Sequence, residues 1–276
     1  MNSQKKFLIF LAFAMIYAAH LPAQQFNKKL SLRLESADAQ GRAAIAVTSA
    51  QMPGQKFVIE IPEIFTLQKS GSGLFNYSKQ VWKYSDRGAE MVLADAKYQY
   101  CIKLKLVGSK KIMGIKWDMS FTNNTDSSIY DLAAFNCFTM NFAPLFKDTK
   151  MERTFVYDSA GNKKLLKDIR KSQEEGKRNM QFYPASDGID LTQSNWINQW
   201  GVNSDQYLTG KKISVFSTDE KWVFENRVNG KVAFFFNNWE QDHGCVHASP
   251  LLKNELHAGE TAKASGMFLF KKIMSR

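Results

Sequence analysis

KYQYCIKLKLVGSKKIMGIKWDMSFT, residues 97–122, decides the fold. From 97 to 107 polar and apolar residues trade places, and GSKK then turns the chain. In 112–122, Ile115, Trp117, Met119 and Phe121 fall on one face, with Lys116, Asp118 and Ser120 on the other. A period of two is that of a strand with one face buried and one wet. The two halves predict an antiparallel hairpin.

The same period recurs outward from this stretch. LSLRLE (30–35), AAIAVTSA (43–50), KFVIEI (56–61), KKISVF (211–216), KWVFEN (221–226), KVAFFFNNW (231–239) and GMFLFKK (266–272) all read as strands, cut apart by Gly, Pro, Asn and Asp. NNTDSS (123–128) is a turn by composition, and IYDLAAFNCFTMNF returns from it as an apolar strand. Asn229-Gly230 predicts a two-residue hairpin turn. KKLLKDIRKSQEEGK (163–177) is the one helical pattern, with Leu165, Leu166 and Ile169 on one side. Roughly a dozen strands with one or two short helices predict an all-β chain, a large antiparallel β-sandwich forming one domain over 25–276.

Lys5 and Lys6 precede the apolar run FLIFLAFAMIYAA, and small residues follow. That order is a secretory signal peptide, expected over 1–24 and placing the chain in the periplasm or outside the cell. The run is too short for a comfortable transmembrane anchor. Removing it takes the net charge from +11 to +9. Such a surplus favours carbohydrate of anionic kind, or a lipid surface, over acidic-poor partners. Export makes nucleic acid the least suitable polyanion. The plainer alternative is that lysines spread along the chain solvate the outer faces of strands. The chain is expected to be a monomer.

Chemistry concentrates in NNWEQDHGCVHASP, 237–250. In extended chain, His243, Cys245 and His247 point to one side. Three readings fit them. Two imidazoles and a thiolate, completed by Cys137 or His257, suit zinc or copper, and no other cofactor is expected. Cys245 beside a base is a nucleophile. Alternatively the group is structural, with Cys245 bridged. An exported chain with three cysteines holds at most one internal bridge. Cys137 with Cys245 is the candidate pair, and Cys101 is expected to be a small buried hydrophobe. Trp196 and Trp200, four apart beside Asn198, together with Trp239, are the candidate sugar contacts, the alternative for the tryptophans being the core. Asn123-Asn124-Thr125 and Asn76-Tyr77-Ser78 spell glycosylation acceptors.

The signal segment, FTNNTDSSIYDLAAFNCF (121–138), FKDTKMERTFVYDSAGN (146–162), the Cys245-x-His247-x-x-Pro250 element and HAGETAKASGMFLF (257–270) together resemble a group of secreted bacterial β-sandwich proteins of unassigned function. More distantly, a T-N-x-T-D turn feeding a long strand is similar to the galactose-mutarotase-like supersandwich. That resemblance implies a sugar ligand. Its mutarotases use histidines and a carboxylate on the concave sheet, whereas the strand after NNTDSS here offers Asn136, Cys137 and Phe138. Two functions follow: carbohydrate recognition without catalysis, or a sugar-active epimerase, lyase or hydrolase needing an acid/base pair within reach of one substrate.

Overall fold

The computed structural model describes residues 31–37, 44–66, 81–158, 160–171, 180–193, 202–240 and 243–273, and for 193, 202, 203, 239, 240 and 243 the backbone alone. The expected signal segment lies outside these residues. Among them, seventeen strands form two sheets. The eight-stranded sheet runs, in spatial order, β1 (Arg33–Ser36), β2 (Ile45–Thr48), β3 (Lys56–Thr66), β8 (Ile129–Thr139), β16 (His243–Leu256), β15 (Val232–Glu240), β11 (Met180–Pro184) and β12 (Val202–Asn203). The nine-stranded sheet runs β10 (Lys163–Leu165), β9 (Thr154–Asp158), β13 (Leu208–Phe216), β14 (Trp222–Val228), β17 (Thr261–Lys272), β7 (Ile112–Asn123), β6 (Tyr98–Gly108), β5 (Gly88–Ala94) and β4 (Lys83–Ser85). Pairing is antiparallel except between β11 and β12. The chain is an all-β sandwich of two large antiparallel sheets. No helix of the described residues is long and apolar enough to cross a membrane.

The hairpin read from 97–122 is β6 and β7, paired from Tyr98↔Asn123 to Gly108↔Met113. Ser109 closes its turn by accepting the Lys111 and Ile112 amides on its hydroxyl. Alternation sends Met113, Ile115, Trp117, Met119 and Phe121 into the space between the sheets. Phe138 of β8 meets them from the other side. Its ring stacks on Phe224 at 4.1 Å and lies 5.0 Å from Phe268 and 5.5 Å from Phe57. Such aromatic contacts add to the apolar area they remove from water.

β8, β16 and β15 do not alternate. β8 is buried almost throughout, and Gly244–Leu252 of β16 are all buried. Residues turned away from the sandwich interior, Ala133, Phe135, Cys137, Phe234, Phe236, Cys245 and Leu251, join Met180, Phe182, Ile189 and Leu191 in a second apolar cluster. The eight-stranded sheet is thus covered on both faces at its centre, as a continuous apolar run requires.

Four expectations change. Asn229-Gly230 does not close a hairpin: β14 and β15 lie in different sheets, so the turn is a crossover, with the Asn229 amide bonded to the Ser265 carbonyl. Of the predicted helix, Lys163–Leu165 is a strand and only Leu166–Ile169 (α1) is helical, while 172–179 lie outside the described residues. Pairing with β9 fixes the first turn as strand despite its helical spacing. Cys101 is not buried, because Tyr100 and Ile102 take the interior positions and leave it on the outer face. Asn123 is closed to glycosylation, being fully buried with its amide donating to the carbonyls of Ser127 (2.8 Å) and Leu256 (3.2 Å). Asn76 lies outside the described residues.

Gly266 marks where the sheet tolerates nothing larger. A Cβ there would sit 2.1 Å from the Arg227 carbonyl oxygen and 2.3 Å from the Trp117 ring, whereas one at Gly230 would meet nothing. Gly266→Ala should therefore destabilise the protein by about 1–3 kcal/mol. Gly230→Ala should cost much less, both read as urea midpoints. Equal midpoints would contradict this packing.

Candidate functional site

The thiol and imidazole groups meet on the covered outer face of the eight-stranded sheet. Cys245 and His247, two apart on β16, point the same way, and the His247 Nε2 lies 3.0 Å from the Cys245 Sγ. β8 brings Cys137 beside them. The two sulfurs and an imidazole nitrogen all lie within 4.8 Å of one another. The His247 ring is fully buried, stacked on Phe135 at 4.0 Å and met edge-on by Phe236 at 4.9 Å. Its Nδ1 has no hydrogen-bond partner among the described residues.

Cys137 and Cys245 are brought together as two free thiols. Register explains why contact is not a bond. Cys245 is paired with Thr139, two residues beyond Cys137, so the cysteines are diagonal neighbours. Diagonal Cα atoms are roughly 7–8 Å apart, beyond the usual reach of about 4.4–6.8 Å for a disulfide.

β3 adds what the sequence reading missed. Glu60 is paired with Cys137, and the strand then bulges before Ile64, turning Glu63 toward the same sulfur. One oxygen each of Glu60 and Glu63 and the Cys137 Sγ lie within 4.8 Å of one another. Burial, then the charge of Glu60, pushes the Glu63 carboxyl up to about 8, against a smaller opposing effect of its hydrogen bond with Cys137. Cys137 is raised by its contact with Cys245 and by burial. Burial drives His247 down to about 3, so its ring is neutral. Glu-Ile-Pro-Glu at 60–63 holds a proline inside an alternating run, the signal by which a bulge could have been anticipated.

The remaining expected contacts separate. Trp196, Asn198 and Trp200 lie outside the described residues, and Trp239 and His243 are described in backbone only, as ends of β15 and β16. His257 belongs to another place, at the far end of β16, where its Nδ1 lies 3.0 Å from the Ser128 hydroxyl.

The outer face of the nine-stranded sheet has the opposite character. Pairing places Lys212 opposite Arg227, Arg227 opposite Met267, Met267 opposite Lys116 and Lys116 opposite Lys105. Five strands thus align four cations across about 19 Å of sheet. Like charges directly opposite on neighbouring strands destabilise a sheet. The buried Glu225 relieves one end, with Lys212 at 2.5 Å, Lys271 at 2.9 Å and Arg227 at 3.3 Å. One carboxylate against three cations leaves the end positive. At the other end Lys116 pairs with Asp118 at 3.0 Å, while Lys105 is exposed with no carboxylate partner among the described residues. Beyond Lys212, the Lys163 ammonium lies 4.2 Å and 4.4 Å from the ring centres of Phe155 and Phe216. A cleft of about 420 Å³, lined in part by Asp118, Asn229, Lys231, Lys263 and Ser265, opens beside the row.

No protein-family model matches this chain, and no curated protein matches it. Solved structures similar to it are galactose mutarotase-like proteins at low identity. A galactose mutarotase related enzyme from Lactobacillus acidophilus is 12% identical over 83% of this chain and 90% of its own, with a TM-score of 0.43. A galactose mutarotase-like protein from Clostridium acetobutylicum is 9% identical over 89% and 99%, TM-score 0.43. A GalM/aldose epimerase homologue from C. elegans is 9% identical over 90% and 100%, TM-score 0.41.

Burial would raise the Glu225 pKa, but hydrogen bonds and charge from Lys212 and Lys271 outweigh it and hold the carboxyl below its ordinary 4.5. A depressed carboxylate stabilises the fold above its unfolded pKa and loses that contribution as pH falls through the folded value. Glu225→Gln should cost about 2 kcal/mol at neutral pH. The gap between the two proteins should close as the pH falls below 4.5, measured by urea unfolding across pH. A pH-independent gap would contradict the ion cluster.

Proposed function

We propose that this chain is an exported protein that recognises anionic polysaccharide without catalysis. The cation row Lys212, Arg227, Lys116 and Lys105 carries the reading. Side chains that repel one another across a sheet gain from a linear polyanion laid over them, and a sheet surface presents them in a straight line. The half-buried rings of Tyr157 and Phe216 beside Lys212 and Lys163 offer apolar faces of the kind sugar rings stack on. The cleft beside Lys263 gives a concave place for a single sugar unit. The distant resemblance of the NNTDSS turn to the mutarotase-like supersandwich supports carbohydrate as the class of ligand.

Non-catalytic recognition is preferred over a sugar-active enzyme for a specific reason. His247, the imidazole beside the two thiols, has no exposed surface and is packed between Phe135 and Phe236. A general base must come within hydrogen-bond reach of the proton it takes.

Binding to immobilised uronate-containing or sulfated polysaccharide should be retained at low salt and fall as ionic strength rises, since surface charges are screened over about 8 Å at physiological salt. Replacing Lys105 and Lys116 together by Gln should weaken binding by about tenfold, equivalent to about 1.4 kcal/mol. Failure of both neutral and anionic glycans to bind, or unchanged affinity in the double variant, would overturn the reading.

A further inference from the structure

We propose that Cys137, Cys245 and His247 form a zinc site, with Glu63 as the fourth ligand. The site is independent of the cation row, which lies on the other sheet.

The donor set differs from the alternate positions 243, 245 and 247, which supply it from one strand. A second strand replaces His243 with Cys137, and a third contributes the carboxylate. Three ligand atoms within 4.8 Å of one another are close to the separations of about 3.5–3.8 Å that a tetrahedral ion with zinc–sulfur and zinc–nitrogen bonds imposes. Cys137 is the shared corner: Glu60 and Glu63 stand within the same 4.8 Å of its sulfur but not of both Cys245 and His247, so Glu63 completes the set by closing toward an ion held by the other three. The bulge between Glu60 and Ile64 is what lets β3 turn Glu63 inward while Glu60 keeps its pairing with Cys137. Glu60 remains beside the site as a second oxygen.

Chemical type points to zinc over its rivals. Two thiolates exclude magnesium and calcium, which take oxygen ligands. A carboxylate added to two sulfurs and an imidazole suits a borderline ion of tetrahedral habit, whereas copper(I) favours soft donors alone. The pocket is also rigid in the way a metal site needs, since the His247 ring cannot turn freely between Phe135 and Phe236. The cluster sets two thiols and an imidazole in an apolar layer: the His247 Nδ1 has no hydrogen-bond partner among the described residues, Nε2 meets the Cys245 sulfur at 3.0 Å, and the Cys137 sulfur meets the Thr139 hydroxyl at 3.2 Å. Thiols make only weak hydrogen bonds, and a coordinated ion replaces them with strong bonds to three donors. Each thiol gives its proton to solvent as its sulfur binds the ion.

Cobalt(II) is the probe. Titrated into the reduced, chelator-treated protein, it should produce a thiolate-to-cobalt charge-transfer band and the intense visible bands of tetrahedral cobalt, saturating at about one equivalent and erased by zinc. Cys245→Ser and His247→Gln should each weaken cobalt binding by about 100-fold, and Glu63→Gln by about tenfold with the thiolate band kept. Cys101→Ser and His257→Gln, whose residues lie elsewhere, should bind as the parent does. Native mass spectrometry of the unsubstituted protein with zinc reads the same site without any variant, expecting one retained ion. No charge-transfer band and no retained zinc, or a band that survives Cys245→Ser in a protein of unchanged circular dichroism, would overturn the proposal.

Discussion

A strand has two faces and no more, and in this protein the central strands of one sheet must hide both. Phe138, Val246 and Phe235 fill the space between the sheets, while Cys137, His247 and Phe236, their immediate neighbours in sequence, face the other way into a second apolar layer. Everything unusual about the chain follows from that double burial. Polar or reactive groups in this strip, Cys137, Cys245 and His247, are enclosed because their strands are enclosed; contact with Cys245 and then burial raise the Cys137 thiol, and burial lowers His247. The opposite sheet buries one face only, so its second face is free to carry charge.

The two outer faces therefore do different work. One concentrates soft donors in an apolar setting, where an uncharged imidazole and two thiols sit beside a carboxyl that holds its proton to about 8. The other aligns cations in register over open sheet, relieved by a buried Glu225 where three of them converge. A basic surplus that could have been scattered evenly is instead set in line by strand pairing.

Much of this was legible before any coordinates. Residues 97–122 alternate because β6 and β7 are wet on one side, and the run LAAFNCF fails to alternate because β8 is dry on both. That failure was the available sign that Cys137 would be buried on the face away from Phe138. Other features hid behind local rules that tertiary structure overrode. Asn229-Gly230 has hairpin chemistry, yet the chain changes sheets there, and sequence cannot say which neighbour a strand will choose. Lys163–Leu165 has helical spacing, yet pairing with β9 claims it. The meeting of Glu63 with Cys137 depends on a bulge and on β3 lying beside β8, a partnership of residues far apart in the chain. The aromatic contacts expected at Trp196 and Trp200 lie outside the described residues.

The central claim is that the two outer faces differ in burial, and the three cysteines report on it directly. In reduced, metal-free protein, alkylation followed by mass spectrometry under native conditions should modify Cys101, which is partly open on the nine-stranded sheet. Cys137 and Cys245, about 4% and 5% exposed, should react only as the whole fold opens, at the denaturant midpoint where the β-sheet signal is lost. Labelling of Cys137 or Cys245 as fast as Cys101 in the native protein would contradict the second buried layer and the site built within it.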